Sequence, residues 1–270
     1  MLTMFFRKGE ASMLNQFSRT ELAIGVEGIE VLKESTVAVL GVGGVGSFTV
    51  EALARSGVGR IILLDKDVVD ITNINRQLHA LLDTIGQEKT ELMKERISRI
   101  NPQCEAIVLN MFYNEETYEQ LFSAVEKLDY IVDAMDTVSS KIHLVKESKN
   151  RNIPIISSMG AANKTDPTRF QVADLFQTSY DPIAKVMRRE LRKAGIKKGV
   201  KVVYSTEIPV KQKEDVLQQV VQNPDSPIRK AKQPPSSNAF VPSVAGLIMA
   251  SVVINDLLAK ANIKIERVNE

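Results

Sequence analysis

The run Gly41-Val42-Gly43-Gly44-Val45-Gly46 carries the G-x-G-x-x-G spacing. Glycine at those places permits a tight turn and close backbone approach, and a helix opening there aims free N–H groups at phosphate charge. Asp65 stands 19 residues after Gly46, where a carboxylate can accept hydrogen bonds from ribose hydroxyls. The glycines alone would equally serve a structural turn; with the acid they point to a bound nucleotide. Beyond Asp65 lies a polar stretch holding Asp67, Asn73, Arg76 and Gln77, with Lys89 further on. Arg76 and Lys89 would neutralise a triphosphate and stabilise charge developing at its α-phosphorus. A polar loop and a solvated helix face would look the same, so these residues leave both readings open. Asp136, closing the string Asp133-Ala134-Met135-Asp136, tilts the balance. A hard carboxylate there can hold Mg²⁺ against phosphate oxygens, or else cap a helix starting near Ser139. Asp133 reads as structural.

These residues need a frame to hold them. Apolar runs rich in Val and Ile at 36–40, 60–64, 106–111, 130–134 and 153–157 predict strands buried on both faces. Helical patterns at 45–56, 88–100, 115–127 and 139–150 alternate with them, the first ending at Gly57 as a left-handed cap. This order predicts an α/β, Rossmann-like, mostly parallel sheet with helices on both faces. After residue 160 the pattern loosens into a strand near Phe170 and Val172, a basic helix at 181–194 and a strand at 202–206. Residues 211–238, rich in Lys, Gln, Pro and Ser, read as a mobile crossover before an apolar helix at 244–259. One domain over 1–270 is expected, with a nucleotide-binding core at 16–160 and a basic extension at 161–270.

Composition narrows the chemistry. The 270 residues are 44% hydrophobic and 25% charged, which excludes wholesale disorder. The single cysteine, Cys104, excludes an intrachain disulfide framework and a four-cysteine zinc site, and reads as an inert buried thiol. Residues 240–255 are 16 uncharged residues, short of the roughly 20 a membrane span needs, so a buried helix is expected. The apolar start is too short for a secretory signal, and the chain reads as cytoplasmic. Charge is divided: residues 1–140 hold 13 Lys and Arg against 21 Asp and Glu, and residues 141–270 hold 22 against 12. A basic half suggests a polyanionic partner, and Arg188, Arg189, Arg192 and Lys193 fall close together on one helix as candidates to meet it. On charge alone a solvated helix face remains the alternative reading.

Taken together, GVGGVG, Asp65 with Asp67, the Asn73-to-Gln77 motif, Lys89 and Asp136 in DAMDT resemble the ubiquitin-activating-enzyme-like adenylating family. The molybdopterin-synthase and thiamine-thiocarboxylate adenylyltransferases are among its members. The resemblance implies ATP at the loop of Gly41, Gly43, Gly44 and Gly46, with Asp65 on the ribose and Asp136 on Mg²⁺. Asn73, Arg76, Gln77 and Lys89 would surround the phosphates. It further implies a homodimer in which Arg19 reaches a neighbouring subunit's site. The paired CxxC motifs and catalytic cysteine of the ubiquitin-like-protein activators are missing. The basic block is instead similar to the branch that dehydrates threonylcarbamoyladenosine in tRNA. That implies adenylation of a threonyl carboxylate followed by ring closure, with tRNA as partner, a sulfur-transfer protein as a further one, and neither DNA nor membrane. The alternatives are adenylation of a sulfur-carrier protein's C-terminal glycine, a non-catalytic nucleotide-binding RNA or sulfur-trafficking module, and an NAD-dependent dehydrogenase.

Overall fold

Every strand that the apolar runs predict is present in the computed structural model, which describes residues 14–222 and 235–268. Helix α1 (Ser18–Lys33) leads into β1 (Thr36–Leu40), α2 (Gly46–Arg55) and β2 (Arg60–Leu64). Next come α3 (Lys89–Ile100), β3 (Glu105–Leu109), α4 (Tyr118–Ser123), β4 (Tyr130–Asp133), α5 (Val138–Asn150) and β5 (Ile155–Ser158). The rest of the chain adds β6 (Phe170–Asp174), α6 (Pro182–Lys193), β7 (Lys201–Ser205), α7 (Glu214–Gln222) and α8 (Val241–Lys260).

The seven strands form one sheet in the order β3-β2-β1-β4-β5-β7-β6, parallel except for β6. Strand β1 lies between β2 and β4, with Val37 opposite both Ile61 and Tyr130. The chain leaves β1 toward β3 and returns on β1's other side, which opens a crevice at the strands' carboxyl ends where α/β ligands sit. Alternation along the strands feeds two cores. Val37 and Val39 face Leu53, Met93, Met249 and Val253; Ala38 and Leu40 face Leu144, Val145, Met187 and Leu191.

By length and composition α8 could cross a membrane, yet 56% of its apolar window is buried inside the protein. It lies hard against α2: a Cβ on Gly246 would stand 2.2 Å from the Val45 carbonyl, and Thr49 Oγ1 donates to Gly246 O at 3.0 Å.

Three expectations change. The helix foreseen over 115–127 is confined to α4, because the Asn114 side chain takes the Glu116 and Thr117 N–H groups in a turn that delays its start. Part of the expected mobile crossover is α7, whose first turn carries Glu214 and Asp215 against the helix dipole. Ser236 and Asn238, near its end, are tied by hydrogen bonds to Asn163 and Lys164; residues 223–234 lie outside the described part. Helix α1 was not foreseen. Gly25 breaks it with φ 73° and ψ 170°.

Candidate active site

The glycine loop closes around two contacts that exclude side chains. Gly41 has φ 85°, and a Cβ there would meet the Ala134 carbonyl at 2.7 Å. A Cβ on Gly46 would lie 1.8 Å from Gly41 O. Gly43 is open except for the Gln77 amide at 3.7 Å, and Gly44 faces Pro242 and the Arg76 stem. Asp65 holds the loop: its Oδ2 accepts the Val42 N–H at 2.7 Å and its Oδ1 the Asp67 N–H at 2.9 Å. Each oxygen keeps a lone pair for a ribose hydroxyl.

Arg76 and Lys89 each have protein neighbours of their own. Lys89 is buried and pairs with the exposed Asp67 at 3.1 Å, so Asp67 serves first as a counter-ion. Arg76 donates Nη1 to Thr72 O at 2.7 Å and to Asn75 Oδ1 at 2.9 Å. Burial holds its guanidinium below the ordinary range, with Asp70 opposing. Asn73 is buried and accepts the Asp70 N–H at 3.2 Å, so it shapes the turn that presents Arg76. The Gln77 amide nitrogen faces the open Gly43, while its buried Oε1 has no hydrogen-bond partner.

Asp136 is exposed beyond β4, touched only by the Thr137 hydroxyl at 3.3 Å. Thr137, not Asp136, is the N-cap of α5, and it makes no side-chain cap bond, so the capping alternative falls away. Among the described residues no three His, Cys, Asp or Glu side chains cluster for a metal. The exposed Asp136 carboxylate would be the protein's ligand to a Mg²⁺ held against phosphate oxygens. Asp133 is structural, as expected. It is fully buried, bridged to Lys141 Nζ at 3.0 Å and receiving the Ser157 hydroxyl at 2.5 Å.

Lys141 was overlooked, yet it falls on the stripe of Leu144, Val145 and Ser148 that α5 buries. Its ammonium also donates to Met135 O at 3.0 Å, fixing the turn between Asp133 and Asp136. His79 was overlooked as well. It is buried near Lys89 with both ring nitrogens unpartnered, and burial pushes its pKa down from 6.5 to about 4, with Lys89 adding to the shift. The folded state therefore resists protonation. Stability is full above about pH 6.5 and is lost as pH falls toward 4, by roughly 3 kcal/mol. Thermal melts from pH 7 to 4 should show this acid loss in the wild type and a flatter profile in His79→Leu. Equal profiles would mean that His79 is not the group responsible.

The thiol of Cys104 is buried and its pKa is pushed up to about 12 by burial, with Glu105 adding to it, so it is unreactive. On α6 the four expected cations separate. Arg188 turns inward and donates to Thr178 O at 3.1 Å, a structural tie rather than a free charge. Arg189 and Lys193 are exposed and share Glu190, and Arg192 lies 5.3 Å over the Phe176 ring. Arg19 is exposed near the start of α1, beside Phe17, whose ring packs 3.6 Å from the Gly57 position. Gly57 lies beyond the far end of α2 from Gly46, about 16 Å along the helix.

This carboxyl edge defines a doubly wound nucleotide-binding protein, with two cations and one free acid arrayed beyond the glycine loop. The ThiF family matches residues 17–269, and the chain belongs to it. It is 68% identical over 252 residues to the tRNA threonylcarbamoyladenosine dehydratase of Bacillus subtilis, covering 93% of this chain and 98% of that one. The crystal structure of E. coli tRNA N6-threonylcarbamoyladenosine dehydratase with AMP superposes with a TM-score of 0.81 at 34% identity, covering 92% of this chain and 96% of that one. The ATP complex of the same enzyme gives 0.79 at 34% identity, covering 92% and 95%.

Proposed function

We propose that this protein is an ATP-dependent tRNA threonylcarbamoyladenosine dehydratase of the cytoplasm. The observation that carries the reading is the Asp65 carboxylate holding the glycine loop through Val42 N, with the Arg76 stem against Gly44; Lys89, paired with Asp67, and the exposed Asp136 support it. The near full-length identity to the Bacillus enzyme supplies the substrate. In the reaction a threonyl carboxylate oxygen attacks the α-phosphorus of ATP and pyrophosphate leaves. The carbamoyl group then attacks the activated carbonyl, a ring closes, the oxygen departs on AMP and one proton is released. No enzyme nucleophile is required, in keeping with the unreactive Cys104.

The loop N–H groups and Gln77 hold the nucleotide, and Asp65 orients the ribose. Arg76 and Lys89 offset charge that grows at the α-phosphorus, where fixed cations in a shielded crevice act most strongly. Mg²⁺ on Asp136 would supply further neutralisation of the phosphates. Arg189, Arg192 and Lys193 provide phosphate contacts for tRNA. The test is incubation with ATP and tRNA bearing threonylcarbamoyladenosine, then nucleoside mass spectrometry. Loss of one water with stoichiometric AMP is expected. Pyrophosphate exchange driven by a carrier protein and indifferent to tRNA would overturn the reading in favour of a sulfur-carrier adenylyltransferase.

A homodimer belongs to this proposal. Leu22, 87% exposed, stands three residues after Arg19 on the same face of α1, and Leu14 and Val26 are also exposed. A second copy covering that face would carry Arg19 away from its own distant glycine loop and toward its partner's. Mixing Arg19→Ala with Arg76→Ala protein under subunit exchange should then restore activity, because one site of each mixed dimer is intact. Mixed dimers without recovered activity would remove Arg19 from the partner's site.

A further inference from the structure

A second depression opens at the carboxyl edge of the sheet, outside the nucleotide crevice. It encloses about 520 Å³ and is lined by Asp166, Arg169, Tyr180, Thr206, Glu207 and Ile208. Asp166 and Arg169 lie between β5 and β6, Tyr180 between β6 and α6, and Thr206, Glu207 and Ile208 follow β7; β7 lies three strand spacings from β1, about 14 Å. We propose that this pocket is the subsite for an unstacked ribonucleoside of single-stranded RNA, with Tyr180 as its stacking platform. The proposal rests on the RNA substrate proposed above and specifies where its base is held.

Tyr180 is 70% exposed and holds φ at 57°, a left-handed conformation that an aromatic residue seldom adopts. Such a conformation persists only where the surroundings impose it. Here they do: the next residue, Asp181, caps α6 through Ala184 N at 2.9 Å and also accepts the Gly160 N–H at 3.0 Å. With Asp181 so fixed, the Tyr180 side chain stands exposed at the pocket wall. An exposed aromatic face is what single-stranded RNA recognition uses, because every base has a π-face to stack.

The remaining lining suits a nucleoside. Arg169, ion-paired with Asp166 at 3.3 Å, offers a guanidinium to a base edge or phosphate. The Glu207 carboxylate is fixed by Thr165 N at 2.9 Å and Asp166 N at 3.0 Å, and with Thr206 can accept from ribose hydroxyls. Ile208, 73% exposed, adds an apolar wall. The pocket is also joined to the turn that carries Arg76. Asn75 donates to Ser237 O at 3.1 Å, Asn238 to Lys164 O at 2.8 Å, and Lys164 Nζ to Glu207 O at 2.8 Å. A base held here lies at the same carboxyl edge of the sheet as the glycine loop.

The test compares wild type, Tyr180→Gly and Tyr180→Phe with an anticodon stem-loop carrying threonylcarbamoyladenosine. Glycine relieves the strained φ, so the fold survives and melting should not fall. The KM for RNA should rise roughly ten- to hundredfold in Tyr180→Gly and stay near wild type in Tyr180→Phe, with KM for ATP unchanged. The salt dependence of RNA binding should keep its slope, since stacking releases no counterions; Arg189→Gln should lower it. Quenching of a 2-aminopurine loop base reads the same contact without turnover. If no tRNA is converted but the quench persists and vanishes in Tyr180→Gly, the base subsite stands and the dehydratase reading falls. Equal RNA affinity and quench in Tyr180→Gly and wild type would overturn the subsite. So would a Tyr180→Gly defect confined to adenylation of a carrier-protein tail.

Discussion

Lys141→Met should destabilise the folded protein by about 3–5 kcal/mol, read from urea or thermal unfolding. The Lys141 and Asp133 side chains are both 0% exposed, and methionine matches the length of lysine without its charge. The loss comes from the Asp133 carboxylate, left buried with the Ser157 hydroxyl and the Met135 N–H but no counter-ion. Adding Asp133→Asn should recover much of it, because the buried charge is then gone as well. ATP affinity should fall alongside stability, since the Asp133–Asp136 turn packs on Gly41. A loss below about 1 kcal/mol would show that the pair is not a structural element of the site.

Asp136→Ala is the complementary case. Its carboxylate is exposed and touches only its neighbour, so stability should change by no more than about 0.5 kcal/mol. The rate of AMP formation should nevertheless drop on the order of 10²–10³-fold, the range for removing one group that meets developing charge. A Mg²⁺ titration of AMP formation should show the weakened metal dependence directly. Turnover at the wild-type rate would remove Asp136 from the mechanism.

The carboxyl edge was legible because its elements are local. Strands β1, β2 and β4 are continuous apolar runs, and the residue after each run or its turn, Gly41, Asp65 or Asp136, must emerge at the crevice. Less local features stayed hidden. Arg188 lies beside Arg189 and Arg192 in sequence, but only the backbone path of Leu175–Thr178 decides that it turns inward. The Asp133–Lys141 pair needs both the end of a strand and the inner face of the following helix. Tyr180 looks like any loop tyrosine until its φ is known, and α7 was masked by the Lys- and Pro-rich composition around it. Helix α1 was missed because Gly25 breaks its period.

The packing of α8 on α2 has a consequence for synthesis of the chain. Thr49 and Gly246 are 197 positions apart, and their contact closes one whole face of the helix that begins with the glycine loop. On the ribosome, β1, α2 and β2 emerge early, but α2 keeps an apolar side uncovered until α8 has followed. Loops of this length delay folding, because closure entropy precedes the contacts that repay it. The helix that begins with the glycine loop is therefore completed only by the carboxyl-terminal part of the chain, and until then its apolar side is open to other apolar surfaces.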